Sequence, residues 1–125
     1  MALFPCITGG ATTGAVIIYD TQTELSATTE TNIPITGSSD YEYLIPLFKL
    51  PTIPTTGQYS NAYCSIPVDK TNTATVGYIF TNGGRSYEFK RSGDNLIYKL
   101  SNASLGATLM GVLATNDANI AALYA

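Results

Sequence analysis

The stretch that most narrowly limits the fold is TATVGYIFTNGGRSYEFKRSGDNLIYKL, from Thr73 to Leu100. Three runs rich in β-branched and aromatic residues, Thr73 to Thr81, Arg85 to Arg91 and Leu96 to Leu100, are separated by Asn82-Gly83-Gly84 and Ser92-Gly93-Asp94-Asn95. Gly, Asn and Asp tolerate the positive φ that tight hairpin turns demand. The spacing predicts a three-stranded antiparallel meander. In its middle strand Tyr87 and Phe89 share one face while Glu88 and Lys90 share the other, because side chains alternate along a strand. One face of the meander is core, and the other meets solvent or a partner.

The rest of the chain extends this pattern. Ala15 to Tyr19 is a short apolar run that predicts a buried strand. The Thr-rich segment Leu25 to Ile35 predicts a half-exposed strand, Gly37 to Asp40 a turn, and Tyr41 to Leu50 a strand interrupted by Pro46. Ile33-Pro34, Ile45-Pro46, Ile53-Pro54 and Ile66-Pro67 repeat one dipeptide. A residue before proline is pushed to extended geometry, and proline cannot donate to a ladder. These pairs suit strand ends, bulges and protected edges, or edges shaped to meet another subunit. Leu105 to Leu113 is apolar enough for a last strand or a buried helix. After Thr115 a short helix is expected, capped by Asn116 or Asp117, with Ile120, Leu123 and Tyr124 on one side.

At 125 residues, this is one domain long enough for a single core. Charged residues make up only 12%, with a net charge of −3. Solubility therefore rests on neutral polar groups, a mixture that suits strands and tight turns. The expected fold is all-β: a single antiparallel β-sandwich or jelly-roll-like domain over residues 15–125, an extended N-terminal arm over residues 1–14, and a short C-terminal helix. No basic excess exists to attract a phosphate backbone, so no nucleic acid partner is expected. No apolar run approaches the length needed to cross a bilayer, so no membrane partner is expected either.

Catalytic patterns are sought in vain. With no histidine, Ser-His and Cys-His pairs and His-bearing zinc sites are excluded. Gly9 to Gly14 has the glycine spacing of a phosphate loop, but Ala15-Val16 stand where that motif requires Lys and Ser or Thr. Asp40 and Glu42 flank Tyr41 with no acid placed opposite them, and suit a solvated turn better than a glycosidase pair. We expect no enzyme, cofactor or metal. Cys6 and Cys64 are expected as unbridged thiols. Arg85, Lys90, Arg91 and Lys99 crowd into the meander, either as a patch for an acidic partner surface or as charges that protect exposed strands. Tyr41, Tyr43, Tyr59 and Tyr63 are candidates for stacking against sugar rings.

The chain begins MALFPCITGG. No Lys or Arg follows Met1, and the apolar run ends at Pro5, so no secretory signal is expected. A composition of extracellular style is thus paired with no visible export signal. The short uncharged start, the Thr/Gly-rich link and the compact Tyr-rich β-domain resemble small structural proteins of tailed bacteriophage virions. That resemblance implies a capsid decoration, head fibre or tail component, assembled in the host cytoplasm and released by lysis. It also implies a homo-oligomer, with a trimer favoured, bound to itself and to other virion proteins. Leu3, Phe4 and Pro5 on their glycine tether are the expected assembly arm. The alternative is a carbohydrate-binding module that uses tyrosine-rich loops to attach to a host surface.

Overall fold

The computed structural model describes residues 14–50, 63–70, 76–80, 85–101 and 106–125. Among these residues ten strands and one α-helix follow in order: β1 (Val16–Tyr19), β2 (Thr23–Leu25), β3 (Thr31–Pro34), β4 (Tyr43–Lys49), β5 (Tyr63–Ser65), β6 (Val68–Asp69), β7 (Val76–Phe80), β8 (Arg85–Ser92), β9 (Asn95–Leu100), β10 (Ala107–Thr115) and α1 (Ala118–Ala122), with a 3-10 turn at Ser38–Asp40 before β4. They form two antiparallel sheets in an all-β, sandwich-like fold.

The first sheet is built on β10, its longest strand. β4 lies along one side of it, and β1 and β2 lie end to end along the other. Beyond β4, β5 and β6 also lie end to end. Two dipeptides explain that last break. Leu44 pairs with Val68 and Leu47 with Ser65, so Ile45-Pro46 stand opposite Ile66-Pro67. In that register Pro46 faces Ile66 and Ile45 faces Pro67; a proline cannot donate to a ladder, and the pairing lapses there. β4 nevertheless continues through Pro46, which stays in register with Val112 on its other side. The expected interruption therefore affects one ladder and not the strand.

The second sheet runs β3-β9-β8-β7, and its last three strands are the expected meander. Ser92 pairs with Asn95 across the two-residue loop Gly93-Asp94, where Gly93 takes φ +56. The expected strand from Leu25 to Ile35 divides. Leu25 ends β2 in the first sheet, the chain crosses over, and Thr31–Pro34 forms β3 in the second. Continuous β-propensity did not reveal that a polar stretch, Ser26 to Glu30, carries the chain between layers. The ambiguous segment near Leu105 to Leu113 is resolved as strand β10.

Between the sheets lies the main core. It holds Leu25, Leu44, Phe48, Leu109 and Val112 from the first sheet, and Ile33, Tyr87, Phe89, Leu96 and Leu100 from the second. The Phe48 ring joins the layers, 5.3 Å from Phe89 and 6.0 Å from Tyr87 between centroids. Tyr87 and Phe89 thus face inward, as their alternation requires. A second cluster, Ala15, Ile45, Leu113 and Ala121, sits on the outside of the first sheet beneath α1.

Candidate functional site

That outer face is where the molecule departs from an ordinary sandwich. Along β4, Tyr43, Ile45 and Leu47 point outward, alternating with the inward Leu44 and Phe48. A solvated strand would place polar groups at those positions. α1 covers one end of the face. Asp117 caps the helix, its Oδ1 accepting from the N–H of Asn119 at 2.8 Å and of Ile120 at 3.4 Å. Asn116 instead accepts from the Glu42 N–H at 2.8 Å. Ile120 and Tyr124 pack onto the sheet, and the Ser65 hydroxyl donates to the Tyr124 carbonyl at 2.8 Å. Leu123 does not join them, contrary to expectation: it is 75% exposed.

Beside α1 the face is open. A groove of about 340 Å³ is lined chiefly by Ile17, Leu47, Tyr63, Met110, Leu113 and Tyr124. Its shape follows from irregularities in β10. The register slips between Leu109 and Gly111, so Met110 is an extra residue in that strand. Gly111 adds no side chain to the floor, and a Cβ there would stand 3.0 Å from the Tyr19 carbonyl oxygen. Among the described residues the exposed large apolar side chains are Ile17 at 51%, Tyr63 at 69% and Leu123. Ile17 and Tyr63 line the groove, and Leu123 does not. Ile17 corrects one expectation, since Ala15 to Tyr19 forms an edge strand that is only partly buried.

The outside of the second sheet is polar by contrast. Glu88 stands opposite Lys99, and the Lys90 Nζ lies 2.6 Å from a Glu30 carboxylate oxygen. Exposed pairs of this kind contribute at most about 1 kcal/mol. Their charges keep the face wet.

The expected cation patch is not assembled as such. Lys99 is exposed and Lys90 is paired with Glu30, while the Arg85 side chain lies outside the described residues. Arg91 is only 6% exposed and points inward, so it is not a surface cation. Its guanidinium donates to the carbonyls of Ser38 at 2.7 Å, Glu42 at 2.9 Å, Tyr41 at 3.0 Å and Val68 at 3.4 Å. Burial lowers its basicity, and the charges of Asp69 and Glu42 oppose that shift. The signal was present: Arg91 shares parity with Tyr87 and Phe89, and a cation on the core face of a strand needs buried acceptors.

The three candidate tyrosines among the described residues do not share one face. Tyr41 packs against the inter-sheet core and Tyr43 against the outer cluster. Tyr63 is exposed at the groove, and Tyr59 lies outside the described residues, as do Leu3, Phe4, Pro5 and Cys6. Cys64 is a half-buried thiol, unbridged among the described residues, and burial raises its pKa. Among the described residues no three His, Cys, Asp or Glu side chains gather to hold a metal ion, and no helix is long and apolar enough to cross a membrane.

Comparison with protein-family models, with curated proteins and with solved structures finds no match to this chain.

Proposed function

We propose that the protein is a non-enzymatic structural component of a virion, a capsid decoration, head fibre or tail piece, that self-associates through the outer face of its first sheet and is anchored by its N-terminal arm. One observation carries the self-association: an apolar groove with Ile17 and Tyr63 exposed on it, on a sheet face where Tyr43, Ile45 and Leu47 of β4 all point outward. Apolar surface gathered in one place favours a protein partner, because burying it releases about 25 cal/mol per Å². The groove is poor in convergent polar groups. A sugar site requires such groups to fix hydroxyls, which favours assembly over glycan binding here. The virion setting rests on the sequence's resemblance to phage structural proteins.

The test is mass by light scattering over a dilution series. The full chain is expected to be an oligomer, with a trimer favoured, and Ile17→Arg to dissociate it while keeping its far-ultraviolet circular dichroism. A full chain that stays monomeric at millimolar concentration refutes self-association.

A further inference from the structure

We infer that the groove is the seat of the N-terminal arm of a second copy, filled by Leu3 and Phe4; this rests on the self-association proposed above and names its occupant. The size fits. An apolar cavity of about 150 Å³ holds a benzene-sized group, so about 340 Å³ accommodates the Phe4 ring with Leu3 beside it. The chemistry fits as well, since the first ten residues carry no charged side chain and the groove wall is mainly apolar, with Ile17, Leu47, Met110 and Leu113 outweighing Asp20 and Ser65.

The reach also fits. Nine residues lie between Phe4 and Gly14, a span of at most about 36 Å when extended. The sheet from β1 through β10 and β4 to β5 is crossed in about 14 Å at the usual strand spacing. The direction of β1 selects a neighbour over the chain itself. β1 runs from Val16 opposite Ala114 to Tyr19 opposite Val112, so residues before it lead toward Thr115. There Gly14 accepts from the Thr115 hydroxyl at 3.4 Å, and Ala15 is packed with Ala121 of α1. The groove is lined along β10 from Leu113 back to Met110, so it extends the other way. A chain that continues the line of β1 leaves its own groove behind.

The experiment uses the full chain and two variants, Leu3→Ser/Phe4→Ser and Ile17→Arg, each weighed alone and as an equimolar mixture. Each variant alone is expected to dissociate at concentrations where the wild type is assembled, its dissociation constant raised about 100-fold or more. The mixture is expected to associate again, because arms of the Ile17→Arg chain can enter the intact grooves of the Leu3→Ser/Phe4→Ser chain. Should Ile17→Arg fail to fold, Tyr63→Arg, at a more exposed position, replaces it. If the arm variant keeps the wild-type mass while the groove variant loses it, the face associates without the arm, and this inference falls while the proposed function stands. Two dissociated variants that do not restore each other place the arm elsewhere than in a neighbour's groove, and also overturn it. A monomeric wild type removes the proposed function and this inference together.

Discussion

Removing the Arg91 guanidinium tests how the two sheets are joined. Arg91 leaves β8 in the second sheet, and its donors reach the carbonyls of Ser38, Tyr41 and Glu42, in the link leading to β4, and of Val68 in β6. One side chain thus ties one sheet to the entry and the edge of the other. A hydrogen bond from a charged donor contributes about 1.5–3 kcal/mol, so four counted independently would approach the entire stability of a domain, about 5–15 kcal/mol. They are not independent, since all four share one desolvated charge whose burial itself costs several kcal/mol. Breaking a buried charged network by removing one partner costs about 3–5 kcal/mol, and that is the loss expected for Arg91→Ala. Arg91→Met fills much of the volume and brings no charge, so about 1–3 kcal/mol is expected. Arg91→Lys keeps the charge but replaces a planar fork with a single ammonium, and is expected to be no better than Met. Urea unfolding followed by circular dichroism and tyrosine fluorescence reads these values, with an unchanged m-value as the check that the unfolding transition is the same. A lysine variant within about 0.5 kcal/mol of wild type, or an alanine variant losing under about 1 kcal/mol, would refute the reasoning.

Three further outcomes follow from local geometry. The Asp94 carboxylate accepts from the Ser39 N–H at 2.8 Å, and that bond chiefly holds its pKa below the usual carboxylate range. A depressed folded pKa gives stability that is present above the unfolded value near 3.9 and lost as pH falls through the folded one. Wild type minus Asp94→Asn should therefore shrink on acidification below about pH 4; parallel stability curves would count against the assignment. Gly93 has open space where a Cβ would be added but sits at φ +56, so Gly93→Ala should cost about 1 kcal/mol through backbone strain alone. Gly93→Asn should cost visibly less in the same melt. Because burial raises the Cys64 pKa, its reaction with a thiol reagent near pH 8 should be slow in the folded protein and rise sharply in urea; equal rates would show the thiol to be open.

The elements legible in the sequence were those whose chemistry is local. Turn residues at Gly93-Asp94 and the alternation of Tyr87, Glu88, Phe89 and Lys90 specify the β8–β9 hairpin and its inward face. Asp117, one of the two expected caps, with Ile120 and Tyr124 at i, i+4 specifies a capped helix that packs on the sheet. What remained hidden depends on pairing between distant segments. That Ile45-Pro46 faces Ile66-Pro67 follows from register, and each pair alone reads as an edge signal. Leu25 and Ile33 lie eight positions apart in a stretch of uniform β-propensity, yet they reach the core from different sheets. The groove was least legible of all, because it arises from an extra residue at Met110 and a missing side chain at Gly111 in a strand that reads as uniformly apolar.

The two outer faces bear on how an assembly could close. The second sheet presents Glu88, Lys99 and the Lys90–Glu30 pair, and such charges oppose edge and face association by keeping their hydration. The first sheet presents apolar surface at the groove and, one residue from Tyr124, at Leu123. A subunit with one receptive groove and one arm makes a head-to-tail contact, which closes into a ring or continues as a filament according to the rotation between copies. In the docking proposed above, nine residues between Phe4 and Gly14 are too long a link for the arm alone to set that rotation. Under that proposal the exposed apolar side chains outside the arm, Ile17, Tyr63 and Leu123, are left to set it. Leu123→Ser is accordingly expected to leave arm binding largely intact while broadening the distribution of oligomer masses. If the masses stay as narrow as in the wild type, closure is governed by the arm, and Leu123 has no part in it.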